Sequence, residues 1–187
     1  MPEALWKSGM PFIQWGLVIL ASLVAACLDL RWGRIPNVLT IPLWVAGVAW
    51  AGVWGGWAAV ADSLIASLVL AAPFIWLFLT AGGGAGDAKL MGALGAWLGT
   101  INGLVFLTAV LLAGMAMGVV CAMRRRQVRR IAWEVVGMFL RIVWSPRESF
   151  LGRANPAESS SRIAMPYGLA ICIGAFVSAL AVLLWRI

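Results

Sequence analysis

Gly82-Gly83-Gly84-Ala85-Gly86-Asp87-Ala88-Lys89 separates two long apolar runs. Four glycines, one acid and one base share these eight residues. An acid at the mouth of a membrane helix is costly to desolvate, so Asp87 is a functional candidate. The glycines call for a sharp turn or a close approach of backbone. A second acid in a similar setting, Asp29, ends an earlier apolar run. The two carboxylates are expected to meet.

Composition supports a membrane setting for that pair. The chain has 187 residues, of which 63% are hydrophobic and 11% charged. A soluble domain of this size rarely exceeds half apolar. Several runs are long enough to cross a bilayer. The fold class expected is all-α, a polytopic helical membrane protein forming one domain over residues 1–187. There is no His, which removes His-based triads and most zinc hydrolase sites. Cys27, Cys121 and Cys172 lie far apart in apolar runs and form no Cys-x-x-Cys pair, so they are read as core residues. No metal and no cofactor is expected. The net charge of +7 does not point to nucleic acid, because the bases cluster beside the apolar runs.

Outward from the glycine stretch, six spans are expected: about 11–28, 38–53, 63–80, 88–98, 104–123 and 164–185. Val24-Ala25-Ala26-Cys27 looks like a lipoprotein cleavage box. Signal peptides, however, carry positive charge before the apolar run. Here Lys7 is offset by Glu3, while Arg31 and Arg34 follow the run, so the helix is read as retained. Pro36 turns the chain before the second span. Residues 52–62 are read as a Gly/Trp loop, with Asp62 capping the third helix. Gly95 and Gly99 form a small-xxx-small pair that admits another helix backbone, and Gly114 and Gly118 form a second. Residues 99–103 are read as a turn. Ile131, Val135, Met138, Phe139 and Ile142 recur at helical spacing opposite Arg130, Glu134 and Arg141. Residues 124–144 therefore read as an amphipathic helix on anionic lipids, followed by a polar linker to 162.

The charges give these spans a direction. Arg31, Arg34, Lys89 and nine arginines from Arg124 to Arg162 fall on one side, against Lys7 and Arg186 on the other. This is a positive-inside pattern with both termini outside. It brings Asp29 and Asp87 to the cytoplasmic ends of their helices at similar depth.

Two carboxyls in contact do not both ionise easily, so the pair holds one proton. That state suits peptide hydrolysis by water. One member takes a proton from water while the other polarises the scissile carbonyl. A peptide bond in a membrane helix must first be unwound and laid against backbone. Glycines at 82, 83, 84 and 86 leave room for that, and an exposed edge there could pair with substrate as an added strand. A plainer reading stands beside this one. Asp29 could pair with Arg31 or Arg34, and Asp87 could cap its helix or pair with Lys89.

Gly84-Ala85-Gly86-Asp87-Ala88-Lys89-Leu90 resembles the signature of the Gly-x-Gly-Asp intramembrane aspartyl proteases, and within them the prepilin peptidases of type IV pili. Asp29-Leu30-Arg31-Trp32-Gly33-Arg34-Ile35-Pro36-Asn37 resembles the first aspartate region of that family. Met165-Pro166-Tyr167-Gly168 is also similar to it. The resemblance covers roughly residues 17–183 and is weakest from 124 to 162. It implies Asp29 and Asp87 as the catalytic pair. It implies Gly84 and Gly86 as shapers of the catalytic loop, with Lys89 as a headgroup anchor. The implied partner is a prepilin or pseudopilin whose basic leader is cut at the cytoplasmic face of a bacterial inner membrane. Larger members carry a zinc-binding cysteine domain and methylate the new N-terminus. This chain has no Cys-x-x-Cys and resembles the short form of tight-adherence (Flp-type) pili, so methylation is expected to be absent.

Two alternatives come from other classes. One is a non-catalytic membrane subunit of a pilus or secretion assembly, with the acids only holding helices together. The other is a small proton-coupled transporter, which predicts acids near the midplane and inverted repeats. The small-residue faces allow either a monomer or a homodimer.

Overall fold

The computed structural model describes residues 11–81, 84–124 and 167–185. These form four helices: α1 (Pro11–Trp32), α2 (Asn37–Ala81), α3 (Ala85–Arg124) and α4 (Tyr167–Trp185). The first three are long and apolar enough to cross a membrane, and the apolar part of α4 is shorter. The expected arm and linker over 124–162, the start of the last span and residues 82 and 83 lie largely or wholly outside the described residues.

A straight helix of 45 residues, the length of α2, would run about 68 Å at 1.5 Å per residue, more than twice the hydrocarbon thickness. The chain avoids this by reversing at Gly56, whose φ of 66° and ψ of −162° lie outside the helical region. A positive φ is open to glycine at little steric cost. The two limbs of α2 then face each other. A Cβ on Gly52 would touch Val60, and the Trp44 indole N–H donates to Ser67 Oγ at 3.1 Å. Gly99, with φ 69° and ψ 178°, reverses α3 in the same way.

These reversals correct two expectations. Residues 52–62 and 99–103 are not loops, because one left-handed glycine turns the chain and helix resumes on either side. Asp62 therefore does not cap its own helix. It lies within the second limb of α2, and its Oδ2 accepts the Thr100 N–H at 3.2 Å. That amide follows Gly99, where the interrupted helix leaves N–H groups without acceptors. The cap is real but serves a neighbouring element. The first helix also runs past residue 28 to Trp32, so Asp29 lies within its last turn. Gly33 ends it, with φ 61° and its N–H donating to the Asp29 carbonyl at 2.8 Å.

Lipid tails are as apolar as leucine, so helices in a membrane are held mainly by close packing and interhelical hydrogen bonds. The small residues stand where that packing is tightest. A Cβ on Gly95 would lie 2.8 Å from the Ala66 carbonyl oxygen. One on Gly174 would lie 2.8 Å from Val110 Cα. Gly118 has open space around it, so the expected Gly114–Gly118 pair is not a close crossing. Polar ties between helices are few among the described residues. Ser63 Oγ donates to the Ala96 carbonyl at 2.9 Å, and Trp97 Nε1 donates to the Leu43 carbonyl at 2.8 Å. The core is built from Val18, Leu70, Leu90, Met91, Leu94, Phe106 and Ile171, all fully buried. Trp57, Val38 and Val53 are 89%, 84% and 77% exposed. That outward apolar surface suits hydrocarbon and not water.

Asp62→Ala should lower the thermal midpoint in detergent, by the equivalent of about 1 kcal/mol for a lost cap. Asp62→Asn, which keeps an acceptor, should cost less. Gly95→Val meets backbone and should shift the protein to aggregates on size exclusion. A well-behaved Gly95→Val protein would show that the α2–α3 crossing is placed wrongly.

Candidate active site

Asp87 occupies the first turn of α3 and is 8% exposed. Its N–H donates to the Gly84 carbonyl at 3.2 Å, which folds the entry to the helix over the carboxylate. A Cβ on Gly84 would lie 2.7 Å from Asp87 Oδ2. Any other residue at 84 would displace that oxygen or be displaced by it. Gly86 has a different use, since a Cβ there would lie 3.1 Å from the Ile35 side chain. Its smallness brings the start of α3 against the segment between α1 and α2. Nearness to a substrate is not needed to explain it.

Asp29 occupies the last turn of α1 and is half-buried. A carboxylate is poorly placed there, because the helix C-terminus carries partial negative charge. The partner it finds lies on another helix. Gly168 donates its N–H to Asp29 Oδ2 at 3.1 Å, and Gly168 stands in the first turn of α4. Helix N-terminal amides have no intrahelical acceptor. Asp29 thus caps α4 from α1. A Cβ on Gly168 would lie 3.0 Å from both Cβ and Oδ2 of Asp29 and 3.2 Å from Ala26 Cα. Glycine at 168 is therefore a condition of the bond.

The two carboxylates lie within electrostatic range of each other, and the Tyr167 hydroxyl lies within range of Asp87. The structure thus brings together Asp29, Asp87, Tyr167 and Gly168 where α1, α3 and α4 converge. Lys89 does not pair with Asp87. Its Nζ donates to Asn37 Oδ1 at 3.0 Å and ties the start of α3 to the start of α2. Against Tyr167 lies an apolar cavity of about 220 Å³, walled also by Pro73, Phe74, Leu77, Val110 and Met115; neither acid lines it. Among the described residues no group of three or more His, Cys, Asp or Glu side chains could hold a metal ion. The support from Gly168 was not assigned at the sequence level. The Met165-Pro166-Tyr167-Gly168 motif was its signal, but a backbone amide leaves no side chain to read.

A half-buried acid near a buried one, each at an end of an apolar helix, defines an acid-pair site at a membrane helix boundary. Residues 16–122 match the type IV leader peptidase family, and the chain belongs to that family. Two curated relatives, both named prepilin leader peptidase/N-methyltransferase and from Burkholderia pseudomallei strains 1026b and K96243, are each 35% identical over 128 residues. The match covers 64% of this chain and 40% of each relative. No solved structure matches the chain. The family match contains both aspartates and stops short of Tyr167 and Gly168, whose role rests on geometry alone.

Asp29→Asn keeps an acceptor for the Gly168 amide and should unfold close to the wild-type temperature. Asp29→Leu leaves that amide unpaired and should cost about 1–3 kcal/mol. Thermal unfolding in detergent distinguishes them, and equal stability of the two variants would remove the capping role.

Proposed function

We propose that this protein is an aspartyl endopeptidase that removes the basic leader from type IV prepilins or pseudopilins, of the Flp type, at the cytoplasmic membrane boundary. The observation that carries the reading is the convergence of Asp29 and Asp87, from separate helices, at one site in a member of the leader peptidase family. One carboxyl, unprotonated, takes a proton from a water whose oxygen attacks the scissile carbonyl carbon. The other donates its proton to the carbonyl oxygen. Collapse of the tetrahedral adduct breaks the C–N bond, and the amine leaves with a proton from the pair. Neither a metal nor a covalent intermediate enters this sequence. The apolar cavity beside Tyr167 offers room for an apolar side chain of the substrate next to the cut.

The reversals at Gly56 and Gly99 support six crossings, α1, two limbs each of α2 and α3, and α4, in one domain over residues 1–187. The charge pattern then sets both termini outside and the acids at the cytoplasmic side of a bacterial inner membrane. Gly84 shapes the catalytic loop by clearing space at Asp87, and Gly86 does so by seating α3. The basic arm from 124 to 144 rests on anionic lipids, and the enzyme works as a monomer or a homodimer. Although both relatives are named N-methyltransferases as well, we infer cleavage without methylation, since this chain has no Cys-x-x-Cys pair.

The test is co-expression with a Flp-type prepilin in a host lacking its own peptidase, read by gel shift and N-terminal sequencing. Wild type and Asp62→Asn should cut. Asp29→Asn and Asp87→Asn, at matched abundance, should each lose at least about 10²-fold in rate. Normal cutting by either would end the two-carboxylate mechanism. Incubating purified protein with prepilin and S-adenosylmethionine should leave the new N-terminus unmethylated, and a methylated pilin would refute that part of the reading.

A further inference from the structure

The α3 helix carries two stripes at helical spacing. Asp87, Leu90, Met91 and Leu94 stand at i, i+3, i+4 and i+7 and are buried, toward the acid pair. Ala85, Ala88, Lys89, Gly92 and Ala93 follow the same spacing on the opposite face. This second stripe lines a groove of about 710 Å³ between α3 and both limbs of α2. The thickness of α3 separates the groove from the carboxylates, so it is not an extension of the acid site.

The groove has a polar end and an apolar length. At the end where α2 and α3 begin stand Asn37, Thr40 and Lys89. Toward the middle of the fold the walls are Leu64, Leu68 and other apolar side chains. Thr40 is 2% exposed, and its Oγ1 is buried without a hydrogen-bond partner. A buried hydroxyl left unsatisfied is costly, and more so where no water reaches it. A helical threonine ordinarily bonds back to the carbonyl four residues earlier. Here the Thr40 hydroxyl makes no such bond. Lys89 reaches the neutral Asn37 amide, a partner that leaves its charge unbalanced. Among the described residues no acid lines the groove.

The occupant that satisfies these groups has an anion for Lys89, a hydrogen-bond acceptor just below it for Thr40, and a long apolar body. We propose that the groove between α2 and α3 is a binding site for an anionic phospholipid. The phosphate sits at Lys89 and Asn37, an ester carbonyl accepts from Thr40 Oγ1 once that side chain turns its closed-off hydroxyl to the groove, and an acyl chain lies along Leu68 and Leu64. A transmembrane helix of a partner fits less well. It would have to bring its own anionic side chain to Lys89, whereas a phospholipid carries both the charge and the apolar body in one molecule.

The test uses the full chain, delipidated in detergent, and native mass spectrometry with phosphatidylglycerol and phosphatidylcholine of matched chains. Wild type should retain phosphatidylglycerol about tenfold better, as expected for one hydrogen bond to a charged group. Lys89→Gln should abolish the preference while keeping residual retention of both lipids. Thr40→Val removes an unpaired hydroxyl, so it should fold normally and weaken retention of both lipids about threefold. Arg31→Gln, an exposed base outside the groove, should change nothing. Equal retention of the two lipids by wild type, or an equal effect of Arg31→Gln and Lys89→Gln, would overturn the proposal. So would a dimer that Ala71→Leu dissociates with lipid retention intact, which would make the groove an interface between copies. None of these readouts uses leader cleavage, so the lipid site and the peptidase reading stand or fall separately.

Discussion

The bond from the Gly168 amide to the Asp29 carboxylate is the contact on which the arrangement of the site depends. It joins the last turn of the first helix to the first turn of the last one. Each end has its own electrostatic problem. The acid stands where its own helix dipole is unfavourable, and the amide stands where its own helix offers no acceptor. Set against each other, the two defects cancel. The absent Cβ at 168 leaves the space in which the Asp29 carboxylate meets the amide. The pairing gives this carboxylate, which lies within electrostatic range of Asp87, a neutral donor in place of a basic one.

The same economy runs through the rest of the bundle. In hydrocarbon, transfer of apolar surface supplies little force between helices, and approach distance decides the contact. Glycine sets that distance at Gly95 against Ala66 and at Gly174 against Val110. It sets direction at Gly56 and Gly99, where a left-handed φ reverses the chain. The reversal at Gly99 creates unpaired amides, and Asp62 from the adjacent limb takes one of them. Asp29 and Asp62 thus do the same capping work at two places. They differ in surroundings: Asp29 faces a second, buried carboxylate, and Asp62 does not.

This explains what could be read from residue order. The membrane class, the approximate spans and the two acids follow from hydropathy and from the cost of burying charge, which are local properties. The reversals were harder, because Gly/Trp-rich stretches such as 52–62 look like loops when glycine is taken as a helix breaker everywhere. Only the fold shows that one glycine turns while Gly52 and Gly55 stay helical. The helix Asp62 serves was illegible for a related reason. Its position just before Ser63 suggests a cap for the chain that follows, and its actual partner is an amide 38 residues on. Gly168 shows the limit most clearly. Its contribution is an N–H and an absence of side chain, and neither differs from that of other glycines until the helix opposite is placed.

The α3 helix also shows why polar groups on a membrane helix need separate faces. Asp87 and Lys89 are two residues apart, which sets them about 200° apart around the axis, on different sides of the helix. Adjacent on one face, they would form an ion pair with each other. Separated, each takes a different neighbour. Asp87 turns to Asp29 and Tyr167, and Lys89 turns to Asn37 at the head of a groove with an unpaired threonine. The motif Gly-Asp-Ala-Lys therefore encodes an opposition as well as a site. The alanine between acid and base holds them on opposite faces, and one helix end meets a second carboxylate on one side and an apolar groove on the other.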